Sequence, residues 1–362
     1  MSKIISKQAH AQHNQTAQDN YFMMLAIEQA KRGQYTARPN PAVGCVIVQA
    51  AQVVGQGFHP KAGQPHAEVF ALKDAGARAS GATAYVTLEP CSHTGRTPPC
   101  ALALIDAGIK RVVIAGLDPN PQVAGRGVSL LQHAGIEVTV GVLTAQAEAL
   151  NRGFLKAMRT QMPFVRLKIA TSLDGRTAMA SGESKWITGT AAREDVQKLR
   201  AQSGAIITGS QTVISDNPKL NVRSSQLGVP AEQVPAPMVV ILDRRQRLGF
   251  DLESDYHLCR RADTVYWRED NVVELLQTLV REHHCYEVLI EAGASVAGHF
   301  LSQQLVDELL VYQAPCLLGT QARAMADVNP LSLAQQLRFD YQHYEQMGSD
   351  LKLTLSALPH SE

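Results

Sequence analysis

The chain has 362 residues, a length that suits two ordinary domains better than one, and 45% of them are hydrophobic, enough for well-cored globular units. Its formal charge of +1 argues against a broad electrostatic footprint for nucleic acid or an anionic membrane, and no apolar run is long enough to span a bilayer. The six cysteines (Cys45, Cys91, Cys100, Cys259, Cys285 and Cys316) are too sparse for a disulfide scaffold, which points to a reducing cytoplasm.

The N-terminal stretch MSKIISKQAHAQHNQTAQDN is polar and carries no apolar core of a secretory signal. Residues 1–17 are expected as a disordered tail. From about residue 20 the pattern alternates. YFMMLAIEQAKRG reads as a helix stopped by Gly33, AVGCVIV and QVVGQG as two strands joined by a short turn, HAEVFALKDAG as a helix and ATAYVTLE as a strand. PCALALIDAG follows as a helix with Pro99 near its first turn and Gly108 beyond its end. RVVIAG (strand), GVSLLQHAG (helix), IEVTVGV (strand) and a closing helix TAQAEALNRGFLKAMRT complete an α/β layered unit over 18–150. Residues 151–162 are the expected linker.

The remainder, 163–362, is again α/β and shows no repeat of the first half. FVRLKIATSLDG, AIITG, MVVILD, DTVYW, EVLIEAG, ELLVYQAP and LKLTLSAL read as strands. AAREDVQKLRAQSG, NVVELLQTLVREH and SVAGHFLSQQL read as helices.

One constellation carries chemistry. His66-Ala67-Glu68 opens a helix, and Pro90-Cys91 follows a strand, with Cys100 at the start of the next helix. Catalytic zinc takes three protein ligands and keeps a fourth position for water, and the zinc-deaminase signature H-x-E then P-C-x-x-C supplies these parts, with the Glu as general acid/base. Here eight residues separate the two cysteines, not two. The first turn of a helix is splayed enough for His66 and Glu68 to reach one ion and its water, and the dipole at the start of a helix favours a Cys100 thiolate. The competing reading is a structural zinc with His93 or His59 as fourth ligand, which leaves Glu68 without a purpose. Cys45 reads as core, and Cys259, Cys285 and Cys316 as structural.

RPNPAVGCVIV, HAE and TLEPCSHTGRTPPC together resemble the bifunctional bacterial enzyme family of riboflavin biosynthesis, which joins a diaminohydroxyphosphoribosylaminopyrimidine deaminase to a 5-amino-6-(5-phosphoribosylamino)uracil reductase. LKIATSLDGRTA, SGESKWITG, SDNPKLNVR and IEAGASVAGHF extend the resemblance over roughly residues 18–360. It implies a cytidine-deaminase-like zinc domain followed by a dihydrofolate-reductase-like domain, one zinc per chain on His66, Cys91 and Cys100, Glu68 as proton shuttle, and Asn40 against a phosphorylated pyrimidine substrate. It implies NADPH at Ala170, Trp186, Thr212, Asp216 and the run Gly293, Ala294, Ser295, Val296, Ala297, Gly298 and His299. It implies substrate contacts at Ser184, Arg200, Leu220, Arg223 and Glu291, and pairing of chains through the reductase domain.

Several of these residues have a plainer reading. Asn40-Pro41 is also a turn, Arg200 and Arg223 suit either phosphate or a solvated face, and Asp174-Gly175 is a turn pair beside Lys168. Small residues at Gly293 to Gly298 admit a pyrophosphate at a helix N-terminus or close helix packing. The basic cluster Arg244, Arg245 and Arg247 suits a cofactor phosphate or a solvated loop. Two other functions compete: a nucleic-acid-editing deaminase, which needs a basic, aromatic groove and meets only 5% aromatic content, and a zinc-stabilised binding module without catalysis.

Overall fold

The computed structural model describes residues 2–92, 99–120, 124–185 and 187–358, with backbone only for 2–13. The chain divides into two compact units, Met1–Thr160 and Gln161–Glu362.

The first unit is built on a five-stranded sheet of order β2-β1-β3-β4-β5, with β1 Gly44–Gln49, β2 Gln52–Phe58, β3 Thr83–Val86, β4 Arg111–Ile114 and β5 Glu137–Val140. β1 runs antiparallel to β2 and β3, while β3, β4 and β5 are parallel. Side chains of a strand alternate between faces, and both faces here are apolar. Cys45 and Ile47 of β1 pack with Ala67, Ala71 and Ala75 of α2 (Ala67–Ala75), with Leu104 of α3 (Cys100–Asp106) and with Leu131 of α4 (Arg126–His133). Val46 and Val48 face the other way, onto Phe22, Met23, Ala26 and Ile27 of α1 (Ser2–Lys31) and Ala147 of α5 (Thr144–Glu148).

Two expectations change here. Residues 2–17, expected as a tail, fall within the span of α1. A helix that is nucleated extends at little cost, and the buried Phe22–Ile27 stripe nucleates it. The single helix read over 144–160 is two, α5 and α6 (Arg152–Thr160). The break falls at Asn151, whose buried amide accepts from the Ala42 N–H at 2.8 Å and donates to the Ala42 carbonyl at 2.9 Å. The expected linker 151–162 is therefore mostly helix, with Leu155 and Ala157 buried.

The second unit holds an eight-stranded sheet of order β10-β9-β8-β11-β6-β12-β15-β14. Its strands are β6 Phe164–Ser172, β8 Ala205–Gly209, β9 Met238–Leu242, β10 Thr264–Trp267, β11 Glu287–Ile290, β12 Glu308–Ala314, β14 Phe339–Met347 and β15 Asp350–Ala357, with β7 (Arg176–Ala178) and β13 (Arg323–Ala324) paired separately. The run from β10 to β12 is parallel, and β15 and β14 add antiparallel. Helices α7 (Thr190–Gln202) and α8 (Ser210–Asp216) help cover one face, and α9 (Val272–Arg281) and α10 (Ala294–Ser302) the other. Strands β7, β13 and β14 and helix α8 are additions to the sequence reading. Among the described residues no helix is long and apolar enough to cross a membrane.

Candidate active sites

The first site forms where the sheet of the first unit meets its helices. An added Cβ on Gly57 of β2 would lie 2.5 Å from the Ala67 carbonyl, so glycine lets α2 rest directly on the sheet. His66 is the N-cap residue of α2, with extended backbone and no side-chain cap bond, and Glu68 lies in the first turn. Cys91 follows β3, and Cys100 is the first residue of α3, with Pro99 at its cap position.

These elements bring three ligand atoms within 4.8 Å of one another. His66 Nδ1 is 3.6 Å from Cys91 Sγ and 3.3 Å from Cys100 Sγ. A tetrahedral zinc with bonds of about 2.05 Å to nitrogen and about 2.3 Å to sulfur separates those atoms by about 3.6 Å, so the donor set fits the ion in both chemistry and size. The Cys100 N–H donates to Cys91 Sγ at 3.3 Å. Of the two thiols Cys91 loses its proton first: the hydrogen bond from the Cys100 thiol draws it down to about 4, helped by His66. That same bond and burial push Cys100 up, and the bond to Cys91 raises His66.

Glu68 is buried, with Oε2 lacking any hydrogen-bond partner. Burial pushes its carboxyl up to about 7. An orphaned carboxylate oxygen beside three zinc-type donors is costly unless a ligand completes it.

Asn40 is oriented by a residue the sequence reading considered only as a metal ligand. His59 Nδ1 lies 3.0 Å from the Pro65 carbonyl and its Nε2 lies 3.0 Å from Asn40 Nδ2. The Nδ1–H therefore donates to Pro65, and bare Nε2 accepts from the amide. Burial lowers the His59 pKa, keeping it neutral. With both nitrogens committed, His59 is removed as a fourth zinc ligand. His93 lies outside the described residues.

The second unit gathers its expected residues at the carboxyl edge of the parallel strands, where open α/β sheets bind ligands. Gly293 is the N-cap residue of α10 and has no side chain to offer, so the first N–H groups of the helix are left for a ligand. Thr212 Oγ1 stands 4.0 Å from where a Gly293 Cβ would be. Gly293 and Ser295 are exposed, Ala294 and Val296 half-buried, and His299 exposed with its ring 3.0 Å from Gln303 Nε2. Ala297 lies in the core beneath the helix, and an added Cβ on Gly298 would meet the Asp327 carbonyl at 2.0 Å, so these two serve packing. Ser184 Oγ donates to Asp216 Oδ1 at 3.1 Å, joining one expected substrate residue to one expected cofactor residue. Trp186 lies outside the described residues.

Arg200 grips a carboxylate and a backbone carbonyl. Its Nε and Nη2 are committed to the two oxygens of Glu291 at 2.6 and 2.9 Å, and Nη1 to the Asn221 carbonyl at 3.3 Å. Three of its five N–H donors are engaged, two of them on Glu291, so Arg200 orients that carboxylate. Leu167 pairs in register with Ile290, which sets Lys168, in the middle of β6, beside Glu291 just after β11. Burial holds Lys168 below the ordinary lysine range. Ala170 lies on β6 opposite Tyr312 of β12. Leu220 is buried in the core in a left-handed backbone, φ 43°, and presents backbone rather than side chain. Arg223 remains exposed, with Nη1 2.9 Å from Asn221 Oδ1. Asp174 accepts from the Ser172 hydroxyl and from the Leu318 and Gly319 N–H groups, which favours its turn reading.

Cys45, Cys259 and Cys285 are buried as expected, whereas Cys316 is exposed.

Comparison with known proteins covers both halves. Residues 16–116 match the cytidine and deoxycytidylate deaminase zinc-binding region, and residues 163–353 match the RibD C-terminal domain. Riboflavin biosynthesis protein RibD of Haemophilus influenzae is 48% identical, covering 94% of this chain and 97% of that protein. The RibD of Escherichia coli is 47% identical, over 93% and 99%. Among solved structures, Acinetobacter baumannii RibD (form 1) superposes with a TM-score of 0.91 at 54% identity, over 95% of this chain and 100% of that one. The Thermotoga maritima diaminohydroxyphosphoribosylaminopyrimidine deaminase/5-amino-6-(5-phosphoribosylamino)uracil reductase gives 0.85 at 32%, over the same shares. With a zinc deaminase half and a reductase half matched in the same order along nearly the full length, the chain belongs to the RibD family of bifunctional deaminase–reductases of riboflavin biosynthesis.

Proposed function

We propose that the first unit removes an amino group from 2,5-diamino-6-(5-phosphoribosylamino)pyrimidin-4(3H)-one, and that the second reduces the ribosyl chain of the product to ribityl with NADPH. The observation that carries the first half is the buried Glu68 carboxylate, its Oε2 unpartnered, beside the His66, Cys91 and Cys100 donors. Zinc, which those three would hold, would supply a water of lowered pKa. Glu68, with a pKa near 7, takes the proton from the attacking water, places it on the ring nitrogen and delivers a proton to the leaving amine, so that ammonia departs. Asn40, its amide fixed by His59, presents hydrogen-bonding atoms to the pyrimidine edge.

In the second unit the groups that bind are the exposed start of α10, the Ser184–Asp216 pair and Arg223. Reduction at C1' needs a proton as well as the reducing equivalents of NADPH, and the half-buried Lys168, beside Glu291, is our candidate to give it. Support for NADPH over NADH comes from the exposed basic cluster Arg244, Arg245 and Arg247 just beyond β9, where Arg244 also pairs with Asp270. Arg247 reaches Ser210 Oγ and Gln211 Oε1 at the start of α8, both at 2.8 Å. β9 lies two strands from β11, on the order of 10 Å, a distance an adenosine spans.

Glu68→Gln tests the first half. Ammonia release should fall by at least about 100-fold, while bound zinc and reduction of pre-deaminated substrate stay near wild type. A variant that deaminates normally would return the zinc site to a structural role.

A further inference from the structure

Glu89 has no part in the chemistry above, yet its carboxylate accepts four backbone N–H groups. It is buried at 4% exposure and lies two residues before Cys91. Its Oε1 accepts from the Gly127 and Val128 N–H groups at 2.9 and 3.2 Å. Its Oε2 accepts from Gly125 at 3.0 Å and Asp118 at 3.3 Å. An ionised carboxylate has about four lone-pair sites, and here all are filled by backbone. Gly125 at the N-cap of α4 has no side chain to satisfy the first turn of that helix. Glu89 does so from a different element, and through Asp118 it also holds the β4–α4 connection.

The clamp reaches the metal ligands through the backbone. A Cβ on Gly127 would lie 2.1 Å from the Pro90 carbonyl, so the start of α4 rests against the peptide group immediately before Cys91. The Glu89 N–H donates to the Gly116 carbonyl at 3.0 Å, and the Cys91 carbonyl accepts from Ala101 of α3 at 3.2 Å. The segment 89–91 is thus held from the α4 side by Glu89 and from the α3 side by Cys91, whose Sγ must meet His66 and Cys100 at one point.

We propose that Glu89 is a positioning residue for deamination: by gathering four N–H groups of residues 118–128 it fixes the Cys91 backbone, and with it the geometry of the zinc triad. The inference rests on the zinc-deaminase reading of the first unit. A carboxamide in place of the carboxylate accepts on one atom only and turns an NH₂ toward donors, which loosens the clamp without changing any ligand.

The test uses full-length, zinc-loaded protein and two variants, Glu89→Gln and Gly127→Ala, the second displacing the Pro90–Cys91 peptide and the Glu89 carboxylate from α4 with no change of charge. Zinc transfer to a chromophoric chelator is timed well below the melting temperature, and kcat and KM for deamination are measured with reduction of pre-deaminated substrate as control. The expected result is zinc release faster by about 10- to 100-fold, kcat lowered about 10-fold or more, KM within twofold of wild type and reduction unchanged. A lowered melting temperature with zinc release and kcat within twofold of wild type would make Glu89 a helix cap and nothing more, overturning the proposal. Should Glu89→Gln fail to fold, Gly127→Ala decides by the same two readouts. Wild-type protein that retains no zinc fails the underlying reading instead, which separates the two failures.

Discussion

At the scale of single residues, the second site depends on one charge arrangement. Arg200 and Glu291 form a two-pronged pair with both side chains about one-tenth exposed (11% and 10%). Removing one member of such a pair leaves the other charge buried and uncompensated, at a cost of about 3–5 kcal/mol. Lys168 also leans on Glu291, whose field opposes the lowering of its pKa by burial. Glu291→Gln is therefore expected to lower urea stability of the Gln161–Glu362 unit by about that amount and to abolish NADPH oxidation, with ammonia release kept. Retention of reduction would show that the pair is packing alone.

The cluster of His66, Cys91 and Cys100 was legible in the sequence because its chemistry is local to residue type: few roles need His, Glu and two Cys at the ends of predicted elements. Glu89 and His59 were not legible as positioning groups. What they do depends on backbone donors at 118–128 and on a carbonyl at Pro65, which only the fold brings to them. The pairing of Arg200 with Glu291 was not legible either, since a guanidinium fork fits carboxylate as well as phosphate.

At the scale of elements, α1 is fastened to the sheet by one cluster. Arg111 of β4 grips Asp19 with two bonds, at 2.7 and 2.8 Å, and the Tyr85 hydroxyl donates to Asp19 at 2.9 Å. Burial works against the Asp19 charge, but hydrogen bonds from Arg111, Gln15 and Tyr85 outweigh it and hold the carboxyl below its ordinary value. A carboxyl depressed in the folded state contributes stability that is full above its unfolded pKa, about 3.9, and is lost as pH falls through the folded value. Acid denaturation followed below about pH 5 should therefore be shallower for Asp19→Asn than for wild type, with the variant less stable near neutrality. Parallel curves would remove Asp19 from the acid response.

Elements with an apolar period were found from sequence, and those without one were not. β14 carries Tyr341, Gln342, His343 and Tyr344 toward solvent along an edge, so no face marks it as a strand. α8 is short and begins with Ser210, Gln211 and Thr212, residues that suit a loop equally well. The split between α5 and α6 answers to Asn151 and its bonds to Ala42, a contact no local pattern encodes.

At the scale of the whole molecule, two α/β units carry two kinds of site. One confines a titratable carboxylate beside a metal triad, which suits hydrolytic proton transfer. The other presents a bare helix start and a half-buried Lys–Glu–Arg group, which suits holding a nucleotide and a sugar close together, and hydride transfer needs such placement more than a conspicuous catalytic cluster. The order of the reactions follows from their chemistry: the reductase substrate is the deaminated product.

The most direct test is a coupled assay on the purified, zinc-quantified chain with the diaminopyrimidine ribosyl phosphate, following ammonia with and without NADPH and NADPH absorbance in parallel. Ammonia should appear without NADPH, and NADPH oxidation should begin only after deamination has supplied its substrate. NADPH consumed while no ammonia forms, from protein holding one zinc per chain, would contradict the account.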